Sequence, residues 1–243
     1  MLDREIKRED RITIMSGAGI SAESGVPTFR GEDGLWKGYE ATQLATPEGF
    51  ARDPETVLEW YVWRRKMIRD CRPNPAHLAI AAIEEAGIDV AVITQNIDNL
   101  HRRAGSKNIV ELHGNIFLVR CSGSCPGTIK LDPDVPPEEH PRECPDCGKL
   151  LRPHIVWFGE MLDPADIATS QHRLVNTDIL FIVGTSGVVQ PAASMGYIAK
   201  DAGAYIVEVN IEATPLTGMA DTSLFGKAGE ILPKTFEPLM SGD

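Results

Sequence analysis

The chain has 243 residues, with 24 Lys and Arg against 35 Asp and Glu for a formal net charge of −11. This length supports one sizeable core plus a small extra module, and 42% apolar with 24% charged residues excludes a disordered or fibrous chain. A pI near 5.0 argues against free nucleic acid or an anionic membrane as the main partner, and no apolar run reaches the ~18–20 residues of a spanning helix.

The N-terminal MLDREIKRED has no apolar core, so an intracellular, cytoplasmic location is expected. Short, near-continuous apolar runs then recur at Arg11–Met15, Asp89–Thr94, Ile109–Leu112, Asp178–Val183 and Ala204–Val209. Continuous rather than alternating runs predict parallel strands covered on both faces. Helical stretches, each opening on a proline, are predicted at Pro54–Arg69, Pro75–Ala86, Pro164–Leu174 and Pro191–Lys200. The alternation predicts an α/β fold with a doubly wound parallel sheet. Two stretches interrupt it, about 31–86 and 116–151. Together they are expected to build a smaller second domain, with 1–30, 87–115 and 152–243 forming the main one.

Each predicted strand ends on glycine or small polar residues: Ser16–Gly19, Gln95–Asp98, His113–Asn115, Gly184–Ser186 and Asn210. Ligands of open α/β sheets bind outside such ends, so one crevice lined by these loops is the expected site. Gly17-Ala18-Gly19-Ile20-Ser21-Ala22 fits the G-x-G-x-x-G/A pattern that brings backbone close to a pyrophosphate. The residues that follow are broken by Gly25 and Pro27, so any helix there is short. No second strand ending in an acid follows, which disfavours a dehydrogenase.

Cys121 and Cys125, then 18 residues, then Cys144 and Cys147 have the spacing of a four-thiolate zinc site. With no open position such a zinc is structural. The acidic loop between the pairs argues against a nucleic-acid-binding ribbon. Cys71 is left over as a small buried or half-buried thiol. On the helix from Pro54, residues Val57, Tyr61, Arg64 and Ile68 share one face. An arginine on an apolar stripe needs an anion, and Tyr61 with Arg64 would grip a carboxylate; packing or an internal ion pair is the alternative.

Gly17–Gly31, Thr94–Gly105, Glu111–Asn115, the two cysteine pairs, Val156–Glu160, Gly184–Ala193 and Val209–Asn210 occur in the order found in sirtuins, the NAD-dependent protein deacylases. The resemblance spans about Ile12 to Leu232 and is to the compact bacterial and archaeal members. It implies a Rossmann-like domain and a small zinc-bearing, helical domain with a cleft between them. NAD contacts are implied at Gly17, Ala18, Gly19, Thr28, Phe29, Arg30, Trp36, Gln95, Asn96, Ile97, Asp98, Gly184, Thr185, Ser186, Asn210 and Ala228. His113 is implied as general base, with Asn96 ordering water or ribose and Asp98 accepting from the nicotinamide carboxamide. The implied products are nicotinamide, free lysine and an O-acyl-ADP-ribose.

An acyl-lysine peptide or protein is the implied partner, pairing as an added strand with Val156–Glu160, where Phe158, Gly159 and Glu160 contribute, and with Gly187–Val189, including Val188. Tyr61-Val62-Trp63-Arg64 is similar to the Tyr-x-x-Arg pair of desuccinylases and demalonylases. The other five histidines, His77, His101, His140, His154 and His172, are taken as structural or surface residues. Protein mono-ADP-ribosyl transfer, plain deacetylation with Tyr61 and Arg64 structural, and a non-catalytic NAD-binding module are the alternatives. The oligomeric state is left open.

Overall fold

The computed structural model describes residues 3–27, 35–36, 38–123, 125–132, 135–190 and 192–240, with backbone alone at 35, 36 and 137. The strands among them, in chain order, are β1 (Ile12–Ser16), β2 (Leu35–Trp36), β3 (Tyr39–Glu40), β4 (Val90–Thr94), β5 (Ile109–Glu111), β6 (Gly114–Cys121), β7 (Ile129–Lys130), β8 (Leu151–Ile155), β9 (Ile179–Val183), β10 (Tyr205–Asn210) and β11 (Thr222–Phe225). The helices are α1 (Ala41–Leu44), α2 (Pro47–Arg52), α3 (Pro54–Asp70), α4 (Pro75–Glu85), α5 (Leu100–Ala104), α6 (Pro164–Val175), α7 (Ala192–Asp201) and α8 (Ala228–Met240). None is long and apolar enough to cross a membrane.

The main sheet is parallel, in the order β11-β10-β9-β1-β4-β5. The chain starts at β1, winds out to β5, then returns to β9 on the other side of β1 and winds out to β11. That is the doubly wound, Rossmann-like arrangement, and its direction reverses beside β1, where the loops after β1 and β9 part. Every residue of β1, β4 and β9 is buried, as their continuous apolar runs predict. The four helices α2, α3, α4 and α6 start on one local device. Thr46, Asp53, Asn74 and Asp163 each accept a backbone N–H of the first turn, and a proline follows each of them.

Two elements depart from the sequence expectation. Edge strand β11 begins on polar residues and is only half buried. Helix α8 carries Pro233 and Pro238 in its interior, which local rules read as breakers. It persists because Ala228, Leu232, Phe236 and Leu239 form one buried stripe; Phe236 meets Phe181 edge-on with ring centroids 5.1 Å apart.

The first interrupting stretch is helical, and α3 carries its core. Val57, Trp60, Tyr61 and Ile68 pack with Ile97, Ile116, Phe117, Ile155 and Trp157. The buried face of α3 is wider than expected: it includes Arg65, 4% exposed, besides Arg64. The second stretch is a three-stranded antiparallel sheet, β7-β6-β8, bulged between Asn115 and Val119. Val119, Leu131 and Leu151 pack beneath Cys121 and Cys144.

His77 on α4 and His101 on α5 are fully enclosed, with ring centroids 4.8 Å apart. Burial pushes His77 down to about 4, and burial together with His77 pushes His101 well below the ordinary imidazole value. A folded-state value below the unfolded one means stability is complete above about pH 6.5 and is lost as pH falls toward 4. His77 alone should account for about 3 kcal/mol over that window. Urea unfolding at pH 7 and pH 4.5 should show the loss, and a His77→Gln variant should show a shallower pH dependence between these values.

Candidate active site

The floor of the cleft is a contact between two turns. A Cβ on Gly17 would stand 2.9 Å from Gly184 O and from Thr185 Cα, and one on Gly19 would stand 2.7 Å from Gly184 Cα. Gly17 N–H donates to Val183 O and Gly19 N–H to Gly184 O. The glycines of the first motif are therefore needed first for this turn-on-turn approach. Beyond them, Ala18–Ser24 is a single 3-10 helix closed by Gly25 at φ 84°, the short element the sequence implies.

The loop after β4 is tied across this floor. Asn96 Nδ2 donates to Gly17 O and to Ser21 Oγ, both at 3.1 Å. Gln95 Nε2 donates to Thr185 Oγ1 at 3.1 Å. Asp98, 3% exposed, accepts from Ser21 Oγ at 2.7 Å and from Leu100 N–H at 2.9 Å, while burial raises its carboxyl above the ordinary aspartate value. On the other side Asn210 Nδ2 donates to Thr185 O at 2.8 Å. Gly17, Ala18, Gly19, Gln95, Asn96, Ile97, Asp98, Gly184, Thr185, Ser186 and Asn210 thus belong to loops at the carboxyl ends of adjacent strands. Ile97 itself faces the α3 cluster, and Ala228 is the buried first residue of α8. Thr28, Phe29 and Arg30 lie outside the described residues; Trp36 contributes backbone to β2.

His113 follows β5 and is half buried. Its Nδ1 lies 2.9 Å from Gln95 O. A carbonyl only accepts, so Nδ1 carries the proton and Nε2 keeps a lone pair. Burial lowers His113 below the ordinary imidazole value, partly opposed by the Gln95 carbonyl, which favours the neutral base near pH 7. Asn115 holds the turn from behind, donating to Asn99 Oδ1 and Glu111 Oε1 and accepting from Phe117 N–H.

Val156 N–H donates to His113 O and Phe158 N–H to Ala45 O. Trp157 N–H donates to Glu160 Oε2, and Glu160 N–H to Trp157 O. Four of this segment's five N–H groups are engaged within the chain, so an added strand would meet carbonyls and Gly159 N–H. Glu160 is bound by Arg152 at 2.7 and 2.9 Å and by Arg120 at 3.3 Å. Burial opposes its ionisation, yet these arginines and Trp157 N–H hold it below the ordinary glutamate value. Its side chain therefore shapes the segment from within. Phe158 and Val188 stand exposed on the two segments.

Tyr61, 1% exposed, accepts from Trp157 Nε1 at 2.8 Å, and burial pushes its phenol up, keeping it neutral. Arg64, 6% exposed, stacks 5.2 Å from the Trp60 ring centre; burial lowers it, while Tyr61 and Asp98 act to raise it.

The Sγ atoms of Cys121, Cys125, Cys144 and Cys147 all lie within 4.8 Å of one another, and Cys121 and Cys147 are 3.5 Å apart. Thiolates at a tetrahedral zinc with bonds of about 2.3 Å stand about 3.8 Å apart, so the cage fits that ion. Gly123 N–H donates to Cys121 Sγ at 3.2 Å and holds that thiol down to about 7.

The Sir2 family profile matches residues 17–191. The chain belongs to the Sir2 family. It is 54% identical over 228 residues to an NAD-dependent protein deacylase of Pyrococcus furiosus, covering 92% of this chain and 91% of that protein. It is 47% identical over 231 residues to NAD-dependent protein deacylase 1 of Archaeoglobus fulgidus, covering 94% and 93%. Among solved structures, a Sir2 homologue–NAD complex superposes with a TM-score of 0.89 at 46% identity, covering 96% of this chain and 90% of that one. A Sir2–p53 peptide–NAD+ complex superposes with a TM-score of 0.80 at 33% identity, covering 93% and 92%.

As a Sir2 chain, the protein has a polar layer that its motifs do not reveal. Ser16 Oγ donates to Thr94 Oγ1 and lies 2.9 Å from His101 Nε2, and His77 approaches Ser21 at 3.5 Å. His101 is buried although its helix α5 also carries Arg102 and Arg103. These partners are far apart in sequence, so only the fold brings them together.

Chelation should strip the zinc cage and unfold β7-β6-β8 around it. The thermal midpoint and deacylation should fall together and return together on adding zinc, as read by differential scanning fluorimetry beside an activity assay. For His113, the acid limb of kcat/KM should lie below about pH 6.5. A His113→Ala variant should lose about 10²–10⁴ in kcat with its thermal midpoint unchanged.

Proposed function

We propose that this Sir2 protein is an NAD-dependent protein-lysine deacylase with a preference for acyl groups ending in a carboxylate. The observation that carries the deacylase reading is His113: its Nδ1–H is fixed on the Gln95 carbonyl, so Nε2 is a base beside the loop bearing Asn96 and Asp98. Membership in the Sir2 family supports the same reading. Bound NAD would supply an activated glycosidic carbon with nicotinamide as leaving group. Gly17 to Gly19, Gln95, Asn96, Asp98, Gly184 to Ser186 and Asn210 would hold it, and His113 would take a hydroxyl proton at Nε2. Thr28, Phe29, Arg30, Trp36 and Ala228 belong to the same proposal through the family motif. Residues 31–86 and 116–151 act in this reading as a small domain closing over the cleft, which excludes water from the reacting centre.

The acyl-lysine enters between Val156–Glu160 and Gly187–Val189, recognised largely through backbone. Its acyl end reaches α3, where Tyr61 and Arg64 receive a terminal carboxylate. Two features support that finer step. Arg64 is a guanidinium 6% exposed on the same buried face of α3 as Tyr61, and a guanidinium binds a carboxylate through two parallel bonds. Tyr61 accepts from Trp157, which leaves its own O–H to donate. The pocket would also admit acetyl, because room for a longer acid does not exclude a shorter one.

Matched acetyl- and succinyl-lysine peptides, incubated with NAD and read by mass, test both levels. Free lysine peptide with O-acyl-ADP-ribose is expected, and a mass gain on an acceptor protein instead would favour ADP-ribosyl transfer. Arg64→Met should lower the succinyl-to-acetyl ratio of kcat/KM by about tenfold or more, the scale of a lost charge-assisted pair. An unchanged ratio leaves the enzyme a deacylase and removes the carboxylate preference.

A further inference from the structure

Glu208 lies in the middle of β10, between β9 and β11, and is 1% exposed. A buried carboxylate must be met by donors, and here they are three hydroxyls. Thr214 Oγ1 donates to Oε1 at 2.5 Å, and Thr217 Oγ1 and Ser223 Oγ donate to Oε2 at 2.6 and 3.0 Å. Ser223 belongs to the neighbouring strand β11, but Thr214 and Thr217 belong to the connection 211–221. That connection folds on itself around them: Thr214 N–H donates to Thr217 Oγ1 and Leu216 N–H to Thr214 Oγ1.

The side chain held at the top of this fold is Leu216, 3% exposed. Its Cγ stands 2.8 Å from where a Cβ on Gly187 would be, and Gly187 has φ 67°. Leu216 therefore fills the space of the missing side chain and backs the Gly187 turn. The first half of the same turn hangs from β10 separately, through Asn210 Nδ2 on Thr185 O. Two supports from one strand thus hold two halves of one loop.

We propose that Glu208 is a positioning residue for the peptide edge Gly187–Val189, acting through Thr214, Thr217 and Leu216, while Asn210 independently sets Thr185. The proposal rests on the deacylase reading above, since it takes Gly187–Val189 as a peptide-binding segment. A glutamine at 208 would keep the shape but turn an NH₂ toward hydroxyls that need an acceptor. The loop and Leu216 would lose their seat, and the Asn210 link would remain.

The test is steady-state kinetics on one acyl-lysine peptide with wild type, Glu208→Gln, Leu216→Ala and the double variant. Each single substitution should raise the peptide KM fivefold or more, with kcat and the KM for NAD within twofold of wild type. The double variant should be within twofold of the worse single one, because both act along one path. A merely structural carboxylate predicts a lower thermal midpoint with peptide KM unmoved, and that result overturns the proposal, as do independent, multiplying effects. If Glu208→Gln does not fold, Thr217→Val carries the test: a peptide KM raised twofold or more supports the proposal, and an unchanged one overturns it. A wild type that releases no acyl group from any peptide with NAD sinks the deacylase reading, and this inference with it. An active wild type with unaltered peptide KM in the variants overturns this inference alone.

Discussion

The approach of the Gly17–Gly19 turn to the Gly184–Thr185 turn is the constraint from which the site follows. Any Cβ on Gly17 or Gly19 would meet backbone at 2.9 Å or less, and backbone cannot swing aside as a side chain can. The contact falls where the winding of the sheet reverses beside β1, so it closes the bottom of a gap that the topology opens. With the floor fixed, the side chains of Gln95, Asn96 and Asn210 bridge the loops above it. The cleft is thus a set of loops that hold one another, and its polar groups are largely satisfied within the protein.

That self-satisfaction bears directly on His113, the half-buried imidazole proposed as the base. Gln95 contributes its side chain to Thr185 and its carbonyl to His113, so the residue that ties the floor also orients the ring. Burial keeps His113 neutral more readily than in water, and Asn115 prevents the turn from yielding by binding Glu111 and Asn99 at once. Asn99 takes φ 65° to make this possible, a backbone state that asparagine tolerates better than most residues.

Much of this was legible in the residues because the physics there is local. Interior strands buried on both faces show as unbroken apolar runs, and helices opening on Asp53-Pro54, Asn74-Pro75 and Asp163-Pro164 announce their own starts. The cysteine spacing encodes its cage. Where the determinants are distant in sequence, the reading stopped. Helix α8 survives two prolines only because its stripe meets Phe181 and α4. The pairing of β6 with β8 joins residues about thirty to forty apart, and Ser21 meets Asp98 across 77 positions. Glu208 does leave a local signal: it interrupts the apolar run Tyr205–Val209, and an acid in an interior strand needs donors waiting for it. Likewise, counting helical turns places one arginine on the buried face of α3, whereas the long side chain of Arg65 lets it turn inward too and reach Ile116 O.

Arg65 shows how the inserted helix is joined to the chemistry. Its Nε donates to Ile116 O at 3.0 Å, while Ile116 N–H donates to Ile97 O at 2.9 Å. A single peptide-linked residue therefore couples α3 to the loop that carries Asn96 and Asp98. Tyr61 makes a second link, to Trp157 of the peptide-side segment, whose neighbour Val156 is bonded to His113 O. The helix face proposed to sense the acyl end is thereby fastened at two points, to the Asn96–Asp98 loop and to the segment bonded to His113. In the proposed reading, recognition of the peptide through backbone would stay tolerant of its sequence. In the same reading, selectivity for the acyl group would be strict, because Tyr61 and Arg64 sit on a helix tied by these hydrogen bonds to the loops of the cleft.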